Sequence, residues 1–298
     1  MPFADVLVIF KKSIYQLYFL EKRVQRSAHP PHLSPGDLDR LRLAHESHQR
    51  ALAAVREVLR ARKIRNRFVY RARQVDYRPF DLVLAVGGDG TFIEAARRIT
   101  DQPLLGVNSD PDRSFGFYCA CNADSFAATF DRLQAGELAP RALNRLALKR
   151  DGETLPYLCL NDVLVAHLWP GAMSKYWLTV NGQRERQRGS GVWVSTAAGS
   201  SGAILSAGGK QLPLGSKRVQ YLPRELFRGD GVQYQLRGGS VTLKQPLVIE
   251  SLMREGLIFL DGSHTRIPLV HGSKLEISNA PHPLRAYLPQ HDSRADQG

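Results

Sequence analysis

The chain has 298 residues, 43% of them hydrophobic, with 41 Lys and Arg against 28 Asp and Glu and a formal charge of +13. That length holds two modest domains with real cores, and no apolar run approaches the ~20 residues that a bilayer span needs, so no membrane role is expected. The positive excess favours polyanionic ligands. Many of the basic residues fall between Arg40 and Arg78 without the interleaved aromatics of a single-strand-binding face, which argues against nucleic acid as the partner.

Met1 to Phe10 has no basic region before it and no small-residue cleavage site after it. We read Asp5 to Phe10 as a first strand and not as part of a signal peptide. Ser13 to Arg26 predicts a helix, and His29-Pro30-Pro31 and Ser34-Pro35-Gly36 predict a loop. Asp37 to Lys63 carries Leu52, Val55, Val58 and Leu59 as a helical stripe among arginines. Asn66 to Tyr70, Leu82 to Val86 and Leu104 to Val107 predict strands, and Thr91 to Ile99 a helix. Strands alternating with helices imply a Rossmann-like α/β domain with a parallel sheet over residues 1–138.

From 139 to 290 the texture becomes mostly β. Strands are expected at Leu143 to Leu148, Tyr157 to Val165, Tyr176 to Val180, Val192 to Ser195, Val241 to Ile249, Leu257 to Leu260 and Lys274 to Ile277. Turn signals separate them, among them Asp151-Gly152, Asn181-Gly182, Gly238-Gly239 and Asp261-Gly262. The segment from Arg285 onward is expected to pack back on the first domain, and His291 to Gly298 to form a frayed polar tail. Cys119, Cys121 and Cys159 have no metal-ligand spacing, and neither do the nine histidines. Reduced thiols fit a cytoplasmic interior, and no protein-held metal is expected.

The segment Val86-Gly87-Gly88-Asp89-Gly90-Thr91 ends an apolar strand and opens a helix. Glycines let the backbone approach a ligand closely, and a strand-loop-helix turn collects phosphate at a helix N-terminus. Within it, Asp89 suits a hydroxyl that must lose its proton to a phosphoryl group. About seventy residues on comes Asn161-Asp162, and then Ser195-Thr196-Ala197-Ala198-Gly199-Ser200-Ser201, running on through Ser206 to Gly209.

These three segments, in this order, resemble the NAD kinase family over roughly Val83 to Gly262. The resemblance implies transfer of the γ-phosphate of ATP, carried with Mg²⁺, to the 2′-hydroxyl of the adenosine ribose of NAD or NADH, with the active site in the inter-domain cleft. It implies that Asp89 is the base and that Gly87, Gly88, Gly90 and Thr91 line the phosphates. Asn161 and Asp162 would meet the adenosine part of the dinucleotide, and Ser195, Thr196, Gly199, Ser200, Ser201 and Ser206 would line the nucleotide. A homodimer or higher homo-oligomer is also implied.

The chain departs from the common pattern at several positions. Asp162 replaces Glu, Ser201 replaces Thr, Gly202 replaces Ala, Ala203 replaces an aromatic, and Ser190-Gly191 replaces Asp-Gly. Asn108-Ser109-Asp110-Pro111, Ala197-Ala198-Gly199-Ser200 and Val219 to Glu225 are similar to the branch of plant-type NADH kinases and mitochondrial NAD kinases. Competing readings are a lipid kinase of the diacylglycerol or sphingosine type, which shares the glycine loop, and a non-catalytic basic nucleotide- or nucleic-acid-binding protein. The Asn161-Asp162 and Ser195 to Gly209 segments argue against the first, and the intact Asp89 against the second.

Overall fold

The computed structural model describes residues 3–21, 33–229 and 231–289. The His29-Pro30-Pro31-His32 segment, the later part of the helix expected over Ser13 to Arg26, and the tail from His291 lie outside them. Two compact units form. One comprises the described residues of Met1–Arg141 and Arg285–Gly298, the other Ala142–Leu284.

In the first unit, β1 (Asp5–Phe10), β2 (Arg65–Tyr70), β3 (Leu82–Gly87), β4 (Leu104–Asn108) and β5 (Cys119–Asn122) pair in parallel. Consecutive residues Val6 to Ile9 and Leu82 to Val86 are all buried, the pattern of a parallel sheet covered on both faces. On one face lie Ala51, Leu52, Val55 and Leu59 of α1 (Pro35–Ala61). A second helix, α2 (Asp89–Ala96), leaves β3 after Gly88 alone, and α3 (Phe126–Gln134) adds Phe126, Phe130 and Leu133 to the face of α1.

Two local expectations change. Ser34-Pro35-Gly36 starts α1 instead of breaking the chain. Ser34 is the N-cap and accepts the Asp37 N–H at 3.2 Å, while Pro35 stands in the first turn, where a missing N–H is no loss. Within Ser13 to Arg26 the structure has a wide, five-residue π-type turn, Gln16–Leu20, closed by the Glu21 N–H on the Gln16 carbonyl at 2.8 Å. This turn buries none of its own residues.

The chain crosses into the second unit through β6 (Arg141–Leu143) and builds β7 (Leu146–Arg150), β8 (Glu153–Cys159), β9 (Asp162–His167), β10 (Ser174–Val180), β11 (Gln183–Gly189) and β12 (Gly191–Ser195). The helix α4 (Ala203–Ser206) follows, then β13 (Val219–Arg224), β14 (Gly239–Val241), β15 (Leu247–Ser251), β16 (Gly256–Leu260), β17 (Thr265–Pro268) and β18 (Lys274–Asn279). They form two antiparallel sheets, ordered β11-β10-β15-β18-β7-β8 and β14-β13-β12-β9-β16-β17. Leu148, Tyr176, Leu178, Ile249 and Ile277 from the first and Val163, Val165, Val194, Val219 and Ile258 from the second share one core. Asn181 and Gly182 both take positive φ (49° and 85°), the tight turn that closes the β10-β11 hairpin.

The run Tyr157 to Val165 is thus two strands in different sheets, because the N–H groups of Leu160, Asn161 and Asp162 bond the Asp261 carboxylate at the junction. Val241 to Ile249 also divides, since Pro246 cannot donate to a ladder. The chain ends in β19 (Leu284–Tyr287), which lies parallel to β4 with Ala286 opposite Leu104 and Tyr287 opposite Leu105. The first sheet therefore runs β2-β1-β3-β4-β19-β6, with β5 beside the distal half of β4. The chain is an α/β protein, with a Rossmann-like parallel-sheet unit and a mostly β unit.

Candidate active site

In the parallel sheet of the first unit the carboxyl ends of β1, β2, β3 and β4 lie side by side, with Phe10 opposite both Tyr70 and Val86, and Gly87 opposite Asn108. Ligands of such sheets collect at this edge. Asp89 is the first residue of α2, two positions earlier than the helix expected from Thr91. Its carboxylate does not cap its own helix. It accepts the main-chain N–H of Phe117 at 3.1 Å and of Tyr118 at 2.9 Å, one on each oxygen. Each oxygen keeps a second lone pair for a substrate hydroxyl.

The Tyr118 ring stacks on Phe92 of α2 (centroids 4.9 Å apart, 8° between planes), which fixes the donor loop against the helix that carries the acceptor. Asn108 holds the start of the same loop, donating from Nδ2 to the Ser114 carbonyl at 2.8 Å and accepting the Asp110 N–H at 3.1 Å.

A Cβ at Gly87 would stand 2.2 Å from Thr91 Oγ1, and one at Gly88 2.9 Å from Ser114 Oγ. Gly87 is required by close packing of the loop on Thr91 of α2, whereas at Gly88 only the movable Ser114 hydroxyl stands near. Gly90 is different, exposed and with only Arg71 Nη1 nearby, 3.7 Å from where its Cβ would be. Thr91 Oγ1 is buried and meets no hydrogen-bond partner.

In the second unit, Asn161-Asp162 and the Ser195 segment come together although 34 residues separate Asn161 from Ser195. Ser195 Oγ donates to the Asn161 carbonyl at 3.1 Å, and the Thr196 N–H to the same oxygen at 2.9 Å. Thr196 Oγ1 donates to the Leu160 carbonyl and accepts the Gly199 N–H, while Ser200 Oγ donates to Ala197 and accepts the Leu212 N–H. The buried hydroxyls of Ser195 and Thr196 therefore brace the loop against Asn161 and Leu160, and that of Ser200 ties it to Leu212. Gly199 packs on Asn161 so closely that a Cβ would lie 2.3 Å from its carbonyl oxygen. Ser201 and Ser206, by contrast, are exposed.

Asp162 is buried. Burial, reinforced by the Asp261 charge, pushes its pKa up to about 7. Asp261 organises this corner: it accepts the N–H groups of Leu160, Asn161 and Asp162, at 2.7 Å for Asn161, and the Cys159 thiol. Read from the sequence as a turn, Asp261-Gly262 does take positive φ (49° and 99°), but nothing in its spacing announces the carboxylate's second task. Ser190 lines a cavity of about 190 Å³ in the second unit with His167, Trp169, Arg224 and Phe259.

Residues 37–138 match the ATP-NAD kinase N-terminal domain. The chain is 35% identical over 232 residues to a probable NADH kinase of Oryza sativa subsp. japonica, covering 70% of this chain and 71% of that one. It is 30% identical over 241 residues to an NADH kinase of Arabidopsis thaliana, with coverage of 71% and 74%. In fold it resembles an NAD kinase from Archaeoglobus fulgidus solved with ATP (TM-score 0.67, 17% identity, covering 97% of this chain and 95% of that one). It also resembles a yeast NADH kinase solved with NADH (TM-score 0.67, 13% identity, 98% and 84%). With the glycine loop, the Asn161-Asp162 corner and the braced serine segment in place, this chain belongs to the NAD kinase family, in the branch of the plant-type NADH kinases.

Proposed function

We propose that the protein is an NAD(H) kinase that moves the γ-phosphate of ATP to the 2′-hydroxyl of the adenosine ribose of NAD or NADH. The observation that carries this reading is the Asp89 carboxylate, aimed by the Phe117 and Tyr118 N–H groups at the edge of the parallel sheet where phosphate collects. Asp89 accepts the hydroxyl proton as the 2′ oxygen forms its bond to the γ-phosphorus. The bond from that phosphorus to the β,γ-bridging oxygen breaks, and ADP leaves with the electron pair. Phosphoryl transfer needs little beyond positioning and charge stabilisation. Gly87, Gly88, Gly90 and Thr91 would line the phosphates, while Asn161 and Asp162 would meet the adenosine.

Among the described residues no three His, Cys, Asp or Glu side chains come together to hold a metal. Mg²⁺ would arrive with ATP, where it would neutralise phosphate charge, and no step above passes through it. No described helix is long and apolar enough to cross a membrane. A cytoplasmic homo-oligomer is part of the same proposal, tested by cell fractionation and light scattering.

Purified protein incubated with ATP, Mg²⁺ and either NAD or NADH is expected to form NADP or NADPH. Asp89→Asn should lower turnover by ~10² or more, the usual contribution of a positioned base, with the fold intact. Near-normal turnover in that variant would remove Asp89 from the chemistry.

A further inference from the structure

Two cations at the carboxyl edge of the parallel sheet have no part in the site described so far. Lys11 and Arg71 are the residues directly after β1 and β2, and the Arg71 N–H donates to the Phe10 carbonyl at 2.9 Å, which sets the two positions side by side. Both side chains are half-buried, and neither the Lys11 ammonium nor the Arg71 guanidinium has a carboxylate or hydrogen-bond partner among the described residues. Their neighbours are tied. Lys12 pairs with Glu21 at 2.5 Å and lies over the Tyr70 ring, and Arg113 pairs with Asp110 at 2.6 Å.

Arg71 Nη1 is next to Gly90, in the first turn of α2, where main-chain N–H groups already favour an anion. Lys11 is held from behind, because the buried His48 Nε2 bonds its carbonyl at 2.7 Å. Two half-buried like charges cost energy in the empty protein, and here the lysine pKa is lowered by burial and further by Arg71 against the pull of Asp110. Such a pair is favourable once an anion lies between them. In the same turn the buried Thr91 Oγ1, packed against Gly87, has no hydrogen-bond partner.

We propose that Lys11 and Arg71 clamp the triphosphate of the phosphoryl donor over the Gly87–Gly90 loop, an assignment that rests on the kinase reading above. The Asp89 carboxylate repels a donor that must approach it, and two fixed cations offset that repulsion. The triphosphate carries the densest charge among the reactants, so the clamp is assigned to it and not to the pyrophosphate of the dinucleotide.

Lys11→Met keeps the stem of the side chain, and Arg71→Gln keeps polarity, so both variants and their combination can be compared with wild type by circular dichroism. Each single change should raise KM for ATP about tenfold or more, and the double change further. KM for NADH should stay within about twofold, and Lys11→Arg should restore the ATP KM. Inorganic tripolyphosphate, with no nucleotide present, should raise the melting temperature of wild type and leave the double variant unmoved. An unchanged ATP KM overturns the clamp, and so does an equal rise in the NADH KM, which hands the pair to the dinucleotide. If wild type makes no NADP(H), the kinase reading falls by itself, and the tripolyphosphate shift still decides the clamp.

Discussion

Asp162 carries a titration that folding stability should report. Its folded pKa lies near 7 against an ordinary value of 3.8, because burial and the Asp261 charge disfavour the anion. The folded state thus holds a proton that the unfolded chain gives up, so folding stability is highest below pH 3.8 and falls as pH rises toward 7. At ~1.4 kcal/mol per unit the upper bound on that loss is ~4 kcal/mol. Asp162→Asn has no proton to lose. Its melting temperature should gain on wild type steadily between pH 4 and about 7 and run parallel above, and a constant gap across that range would assign the charge elsewhere. For Ser190 the resemblance to the NAD kinase family implies a bearing on the choice of dinucleotide: an Asp at this position would lie near the nicotinamide and favour the cationic ring of NAD over the neutral ring of NADH, whereas Ser190 brings a hydroxyl and no charge. Coulomb's law at an effective dielectric of ~20 and ~7 Å gives ~2 kcal/mol, and screening in an open cavity reduces it to ~1 kcal/mol. Ser190→Asp should therefore shift the ratio of kcat/KM values about fivefold toward NAD, and a ratio that does not move removes the electrostatic account.

Elements show why the braced serine segment tolerates so little change. Gly199 sits against the main chain of Asn161, and an added Cβ would need the two to separate. Gly199→Ala should cost about 1–3 kcal/mol of stability and raise KM for the dinucleotide well above any change in kcat, measured by denaturant melts and steady-state kinetics. Wild-type KM in a destabilised variant would confine the brace to folding. The same scale explains what could be read in advance. The fully apolar runs of β1, β3 and β4 identified a parallel sheet, and the glycine loop identified the edge that matters. Among the elements missed were β5, α3, β13 and β17, together with β11, whose sequence Gln-Arg-Glu-Arg-Gln-Arg-Gly has no alternation because it is an edge strand, while β8-β9 were fused in the sequence because both halves are apolar. The break between them depends on Asp261, a hundred residues away from Asn161, and local pattern carries no trace of such a contact. In the candidate site Asp89, Asn161 and the serine segment were legible from their motifs. Their supports, the Phe117 and Tyr118 N–H groups and the Asp261 carboxylate, were not, because a main-chain donor has no side-chain signature.

At the scale of the whole molecule the formal charge of +13 acts on reactants before they bind. ATP, NADH and NAD all carry net negative charge, and NADH carries one unit more than NAD because its ring is neutral. A positive field therefore raises the encounter rate in the order ATP, NADH, NAD, and salt weakens it as the Debye length shortens from ~30 Å at 0.01 M to ~8 Å at 0.15 M. Measured between about 0.01 M and 0.3 M NaCl, kcat/KM should fall severalfold for ATP and NADH and less for NAD, so the NADH-to-NAD ratio should drop as salt rises. This separates two sources of preference. A contribution from Ser190 acts at close range inside a cavity and should persist at high salt, whereas the contribution of the net charge should not. If the ratio is flat with salt, the excess arginines play no part in substrate capture, and any discrimination between NADH and NAD resides in the site alone.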